Sequence, residues 1–264
     1  MSISTTRLEV MTELGRNMYN FVAQYLNPID SNWQPSDMLP DSTKDNFFDE
    51  VKLLQEAAKE LPYDYWAVLI GDTITEEALP TYESWLMGMD TVNQQDQENS
   101  WVRWIRNWTA EEGRHGNLLG TYLYLSGKVD MHSVAVSTQY LIADGFDIGT
   151  SGDPYRNFIY TSFQEMATNV SHRRTASLAK QHGNSLLSRM CAQIAADELR
   201  HAKAYKAFVT EIFKLDPSEM MIAFADMMKK KIVMPAHFLR EINGAKSSVY
   251  EVITRRPLAP RSRW

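Results

Sequence analysis

Two short segments of this chain set a carboxylate and an imidazole three residues apart: Glu111-Glu112-Gly113-Arg114-His115 and Asp197-Glu198-Leu199-Arg200-His201. Residues three apart share one face of an α-helix, so Glu112 with His115, and Glu198 with His201, each aim at a single point. Such a pair is half of a metal site. Helical bundles that hold two iron or manganese ions take a Glu-x-x-His from each of two helices and one further Glu from each of the other two. Of the six histidines, only His115 and His201 have a Glu three residues before them. Both also have an Arg directly before and an acid four residues before. The shared pattern reads as an internal repeat, the mark of a duplicated helical hairpin.

Glu165, and Glu76 or its neighbour Glu77, supply the two further acids. In an antiparallel helical hairpin, residues equally far from the turn lie at the same level. Halfway between Glu76 and Glu112 is position 94, in a polar loop, and halfway between Glu165 and Glu198 is the His182-Gly183 turn. Both pairs are therefore predicted to meet about five helical turns from their connection. Carboxylate and imidazole donors suit iron or manganese and do not suit a tetrahedral thiolate zinc site. Glu112 and Glu198 are expected to bridge two ions, with Glu76 and His115 serving one and Glu165 and His201 the other. Without metal, four buried carboxylates would repel and take up protons. Asp197 and Glu111, at matching positions of the repeat, are candidates to accept the second ring proton of the histidines. They could equally face solvent, because one residue turns a helix by about 100°.

The elements that must position these side chains read as helices throughout, with no alternating strand pattern. Apolar spacing predicts a helix over residues 4–25, then a loop over 27–43 with Pro28, Pro35, Pro40 and Trp33. Helices follow over 42–61, ended by Pro62, and over 63–89, with a kink or a local widening at Pro80. Beyond the polar loop at 90–99 come helices over 100–125 and 131–143, then a turn over 145–154. Two long helices, 154–181 and 185–214, flank His182-Gly183-Asn184, and a last one runs from Asp216 to about 233, capped by Asp or Ser. Residues 244–264 are expected to be irregular. The predicted class is all-α: one domain over 1–264, a ferritin-like di-metal four-helix bundle with flanking helices.

Composition narrows the function classes. With 264 residues and 44% hydrophobic side chains the chain can bury a substantial core. No run approaches eighteen apolar residues, and the N-terminus lacks the basic-then-apolar pattern of a secretory signal. A single cysteine, Cys191, permits no internal disulfide, so a cytoplasmic protein is expected. The net charge of -6 argues against a general nucleic-acid binder. Local basic clusters (Arg173, Arg174 and Lys180; Lys229 to Lys231; the tail with Arg255, Arg256, Arg261 and Arg263) read as solvated faces or as docking points for an acidic protein.

Four stretches carry a family resemblance: Gly71-Asp72-Thr73-Ile74-Thr75-Glu76-Glu77-Ala78-Leu79-Pro80-Thr81-Tyr82, Trp108-Thr109-Ala110-Glu111-Glu112-Gly113-Arg114-His115-Gly116, Phe163-Gln164-Glu165-Met166-Ala167-Thr168 and Ala195-Ala196-Asp197-Glu198-Leu199-Arg200-His201. They resemble the soluble acyl-carrier-protein desaturases, and the likeness runs with few gaps from Trp33-Gln34-Pro35 to Met234-Pro235-Ala236-His237. The resemblance implies that Glu76, not Glu77, is the metal ligand. It also implies removal of two hydrogens from a fatty-acyl chain on acyl carrier protein, using O2, two iron ions (manganese as substitute) and two electrons from ferredoxin, in a homodimer. Side chains alone cannot break an unactivated C–H bond, which is why the metal is needed.

By the same resemblance Thr168 matches a hydroxyl beside the oxygen site that assists proton delivery; taken bare, it is a helix hydroxyl bonded to its own backbone. Trp33, Trp108 and Asp197 match positions implicated in bringing electrons from the surface; taken bare, the tryptophans are packing. A narrow apolar slot beside the metals should hold the acyl chain. Three departures stand out. The 90–99 loop is slightly short, and the region after Pro235 lacks most of the C-terminal part of plant members, which points to an actinobacterial member. Asn157 stands where a small residue near the slot is expected, which bears on chain length and substrate access. Other readings of these residues are a different di-iron oxidase, such as a ferroxidase or hydroxylase, and a non-catalytic paralogue that binds an acyl carrier or lipid. A purely structural helical protein would not account for two level-matched ligand sets.

Overall fold

Ten α-helices appear in the computed structural model, which describes residues 5–92, 99–145, 147–230 and 232–238 and contains no strand among them. They are α1 (Thr5–Arg16), α2 (Met18–Tyr25), α3 (Phe47–Lys59), α4 (Tyr63–Glu77), α5 (Leu79–Met87), α6 (Ser100–Ser126), α7 (Met131–Asp144), α8 (Pro154–Gln181), α9 (Ser185–Leu215) and α10 (Pro217–Lys230). The four that carry the site are α4, α6, α8 and α9.

Local chemistry sets the ends of the site helices. Asn99 accepts a hydrogen bond from Trp101 N at the start of α6, and Asp153 accepts from Tyr155 N with Pro154 in the first turn of α8. Asn184 accepts from Leu187 N at the start of α9. These caps satisfy donors that a helix start leaves without partners. Gly183, at φ 77°, turns the chain between α8 and α9 where a side chain would be strained.

Two predicted helices prove to be pairs. The 4–25 helix is interrupted at Asn17, whose ψ of 7° leaves the helical range. The 63–89 helix is broken at Ala78 (ψ 11°), not merely kinked. Pro80 has no N–H to give to the Glu76 carbonyl, so it opens a new helix instead of continuing the old one. The predicted 42–61 helix shortens to α3. The centre of the polar loop and the 244–264 tail lie outside the described residues.

Two apolar clusters sandwich the site. One gathers aromatic side chains, among them Trp104, Phe158, Tyr205 and Phe208; the other is mainly aliphatic, with Leu69, Leu118, Leu187 and Ile194. Each of the four central helices passes from one cluster to the other, and on α6, α8 and α9 the ionisable residues occupy the middle of the passage. On α6 the order is Trp108, Glu112, His115, Leu118; on α9 it is Ile194, Glu198, His201, Tyr205. Gly116 lets α4 approach α6: a Cβ there would lie 3.2 Å from Glu77 N and 3.3 Å from Glu76 C. Among the described residues no helix is long and apolar enough to cross a membrane.

Candidate metal centre

Glu76, Glu112, His115 and Glu198 offer one ligand atom each within 4.8 Å of one another, and so do Glu112, Glu165, Glu198 and His201. The two sets share Glu112 and Glu198. All six residues are buried, and both histidines are fully so. His115 Nδ1 lies 3.0 Å from Glu198 Oε1, 3.1 Å from Glu112 Oε2 and 3.6 Å from Glu76 Oε2. His201 Nδ1 lies 2.5 Å from Glu112 Oε1 and 3.6 Å from Glu165 Oε2. Yet both Nδ1 atoms, Glu112 Oε1 and Glu198 Oε1 have no hydrogen bond of good geometry. Buried lone pairs turned on one another without a shared proton are costly, and a cation between them removes the cost. The donors are oxygen and nitrogen only, which fits iron or manganese.

The opposite ring nitrogens explain why the Nδ1 atoms face inward. His115 Nε2 is 3.3 Å from Asp197 Oδ2, and His201 Nε2 is 2.8 Å from Glu111 Oε2. An Nε2–H given to an acid leaves the Nδ1 lone pair free for a metal. Asp197 also accepts from Trp33 Nε1 (2.9 Å), Arg114 (3.0 Å) and Arg200 (2.6 Å). Glu111 accepts from the backbone of Asn27 (2.5 Å), from Asn32 (3.1 Å) and from Arg200 (3.2 Å). The Trp33 ring stacks on His115 at 6.0 Å, and Arg114 lies over its other part at 4.2 Å. The arginine of each repeat thus holds the acids that orient the histidines.

Charge is balanced by protons when no cation is bound. Burial pushes the Glu165 carboxyl up, and the Glu112 and Glu198 charges add to it, so it lies well above the usual carboxylate range. Glu198 shifts the same way, by burial and then by Glu112 and Glu76. Burial works against the charge on Glu112 too, but His115 and His201 outweigh it and bring it to about 2. Burial alone would lower both histidines; the Glu112 charge and the surrounding acids instead raise them well above the usual value.

Thr168 Oγ1 contacts Glu198 Oε2 and also lies 2.9 Å from the Glu165 carbonyl of its own helix. With Glu76, Glu112, Glu165 and Glu198, and with Leu79 and Trp108, it lines a cavity of about 10 Å³ among the candidate ligands, room for a water-sized group; this cavity is not the apolar slot expected for an acyl chain. Trp108 sits across from His201, ring centres 6.5 Å apart, and is not part of the Trp33–Asp197 contact. Asn157 is buried, its amide given to the Asp153 carbonyl (2.9 Å) and approached by Thr150 Oγ1 (3.3 Å). Glu77 turns away from the cluster toward Gly120 and Thr138 Oγ1 (3.2 Å), while Glu76 faces the cluster.

Sequence reasoning missed His172 and Asp72. His172 Nε2 is 2.8 Å from Glu76 Oε1, and Asp72 lies behind it, bound by Ser171 Oγ at 2.8 Å. The available signal was position: His172 is seven residues, nearly two turns, after Glu165.

An all-α, ferritin-like bundle with a buried carboxylate and imidazole cluster that could hold a metal is what the fold and the site define. Residues 6–256 match the model of the family described as fatty acid desaturase, and the chain belongs to that family. It is 50% identical over 228 residues to stearoyl-[acyl-carrier-protein] 9-desaturase 5, chloroplastic, of Oryza sativa subsp. japonica, which takes in 86% of this chain and 58% of that protein. It is 49% identical over 240 residues to the chloroplastic stearoyl-[acyl-carrier-protein] 9-desaturase of Ricinus communis, taking in 90% of this chain and 61% of the relative. Palmitoyl-[acyl-carrier-protein] 4-desaturase 3, chloroplastic, of Ophrys sphegodes is 47% identical over 240 residues, 90% of this chain and 60% of that protein. The chain thus spans about 60% of the length of these relatives. The X-ray structure of DesA2 from Mycobacterium tuberculosis H37Rv superposes with a TM-score of 0.55 over 93% of this chain and 84% of its own at 18% identity, a likeness of fold.

Proposed function

We propose that the chain is an oxygen-dependent acyl-ACP desaturase, which introduces a cis double bond into a fatty-acyl thioester of acyl carrier protein with O2 and two electrons from ferredoxin. One observation carries this reading: two ligand sets that share Glu112 and Glu198. Glu76 with His115 would hold one iron and Glu165 with His201 the other, with manganese as a substitute. Bound there, the metal pair supplies the oxidising power that no side chain has. Membership of the family and identity to stearoyl and palmitoyl desaturases support the substrate class.

The chain's own groups prepare the reaction. Asp197 and Glu111 accept the Nε2 protons, which fixes the rings with Nδ1 turned inward toward a metal. Thr168 holds a hydroxyl proton beside Glu198, at the edge of the cavity. Trp33, in contact with Asp197 and stacked on His115, lies on the electron route from the surface. Leu79, Tyr82 and Trp108 set apolar surface against the carboxylates that line the rest of the cavity and limit water there. We further infer a single domain over the chain, a homodimer and a cytoplasmic location, the first supported by a site drawn from four helices between α4 and α9.

The test is aerobic incubation of the reduced, iron-loaded full chain with a panel of acyl-ACP thioesters, followed by mass analysis of the acyl chains. Loss of two hydrogens is the expected result. Addition of one oxygen would indicate a hydroxylase, and unchanged chains across the panel would overturn the enzymatic reading.

A further inference from the structure

His172 lies on α8 two turns beyond Glu165, yet it serves the acid of another helix. Its Nε2 is 2.8 Å from Glu76 Oε1. Oε2, the other oxygen of that carboxylate, faces the cluster 3.6 Å from His115 Nδ1. One oxygen of Glu76 is thus tied and one is turned inward.

The imidazole is itself fixed. Asp72, one turn before Glu76 on α4, approaches His172 Nδ1 to 3.9 Å. The Asp72 carboxylate is held by Ser171 Oγ at 2.8 and 3.1 Å and by Thr175 Oγ1 at 3.4 Å, the residues that flank His172 on α8. Nδ1 has no hydrogen bond of good geometry, and the buried Cys191 thiol of α9 stands beside it. An imidazole with its proton on Nε2 donates to Glu76 and leaves Nδ1 as the acceptor side.

Nothing comparable stands against Glu165. Among the described residues its imidazole neighbour is His201, at 3.6 Å. The internal repeat would bring a counterpart of His172 from two turns after Glu76, but α4 ends at Glu77, Pro80 follows, and the residue there is Glu83. The symmetry of the repeat therefore has no second imidazole of this kind at that position.

We propose that His172 is a positioning residue for Glu76 and makes the two ion positions unequal. The position with Glu76 and His115 is set before an ion arrives, because a carboxylate already held in place loses less freedom on binding. The position with Glu165 and His201 must be ordered by its ion. The ions therefore load in sequence, the Glu76 position first. This inference rests on the metal reading given above.

The test is anaerobic titration of the chelator-treated full chain with cobalt(II), followed by its visible absorption. The unaltered chain should take up two ions in two resolved steps. His172→Ala should weaken the first step by about 10- to 100-fold, the usual effect of removing a group that orients a ligand, while leaving the second in place. His172→Gln, which retains an N–H donor, should restore the order and serves as the folding control. In the Glu165→Ala chain one step should remain, and adding His172→Ala should weaken that step. Two steps unmoved by His172→Ala, or both weakened equally, would overturn the proposal and leave the metal reading standing. Failure of the unaltered chain to bind two ions would overturn both.

Discussion

Asp197, the acid beside one Glu-x-x-His pair, serves the histidine of the other: its Oδ2 lies 3.3 Å from His115 Nε2, and Glu111 returns the exchange at 2.8 Å from His201 Nε2. The crossing ties the two copies of the repeat together at the site. Replacing Asp197 by Asn keeps the shape and removes the charge that steadies His115, Arg114 and Arg200. Asp197→Asn should lower metal affinity by about 10- to 100-fold, read by competition with a chelator. Asp197→Ala should in addition destabilise the fold by about 3 kcal/mol, because Arg114 is left buried without its partner. Equal metal affinity in the Asn variant would show that the acid does not orient the ligand.

Proton balance gives a second expectation. The raised His115, His201 and Glu165 retain protons in the metal-free protein that a bound cation must displace. Metal binding near neutral pH should release protons, and affinity should fall as the pH is lowered. In the metal-free fold these groups bind protons more tightly than in the unfolded chain. Their stabilisation is complete below the unfolded values, about 4.3 for Glu and 6.5 for His, and is lost as the pH rises through the raised folded values. Thermal unfolding of chelator-treated protein should therefore show a melting temperature that declines above neutral pH, and added metal should reverse the decline. A metal effect independent of pH would contradict the account.

Gly116 supplies a steric test. A methyl group there meets α4 backbone at 3.2 to 3.3 Å, where little can yield. Gly116→Ala should cost about 1–3 kcal/mol and displace Glu76, so a lower melting temperature should accompany reduced metal content.

Thr168 separates a structural hydroxyl from a participating one. Thr168→Val keeps the volume and removes the group that contacts Glu198. Metal content should stay the same while desaturation falls by about 100-fold or more, the range for lost proton transfer. Undiminished turnover would return Thr168 to a purely helical role.

The six clustered residues were legible because a helix converts spacing into direction, and level-matching about Gly183 brought Glu165 to Glu198 without any knowledge of packing. The order and ends of α6, α8 and α9 followed from the same periodicity. What spacing could not give were relations across helices. Asp197 reaching His115 instead of its own repeat's His201 depends on how α6 and α9 cross, and His172 reaching Glu76 depends on α8 lying against α4. The choice of Glu76 over Glu77 came from the resemblance; spacing left it open, and in the structure the Glu77 side chain is turned toward Thr138. The break at Ala78 goes further than the expected kink or local widening, because the loss of one hydrogen bond at Pro80 does not by itself say whether the chain bends or restarts.

The central claim is that two ions share Glu112 and Glu198. Anaerobic loading of chelator-treated full chain with ferrous iron, followed by gel filtration and metal analysis, tests it most directly. The account predicts two irons per chain in the unaltered protein and loss of most of them in Glu198→Ala with the helical content retained. Two irons per chain in that variant, or none in the unaltered protein, would contradict it.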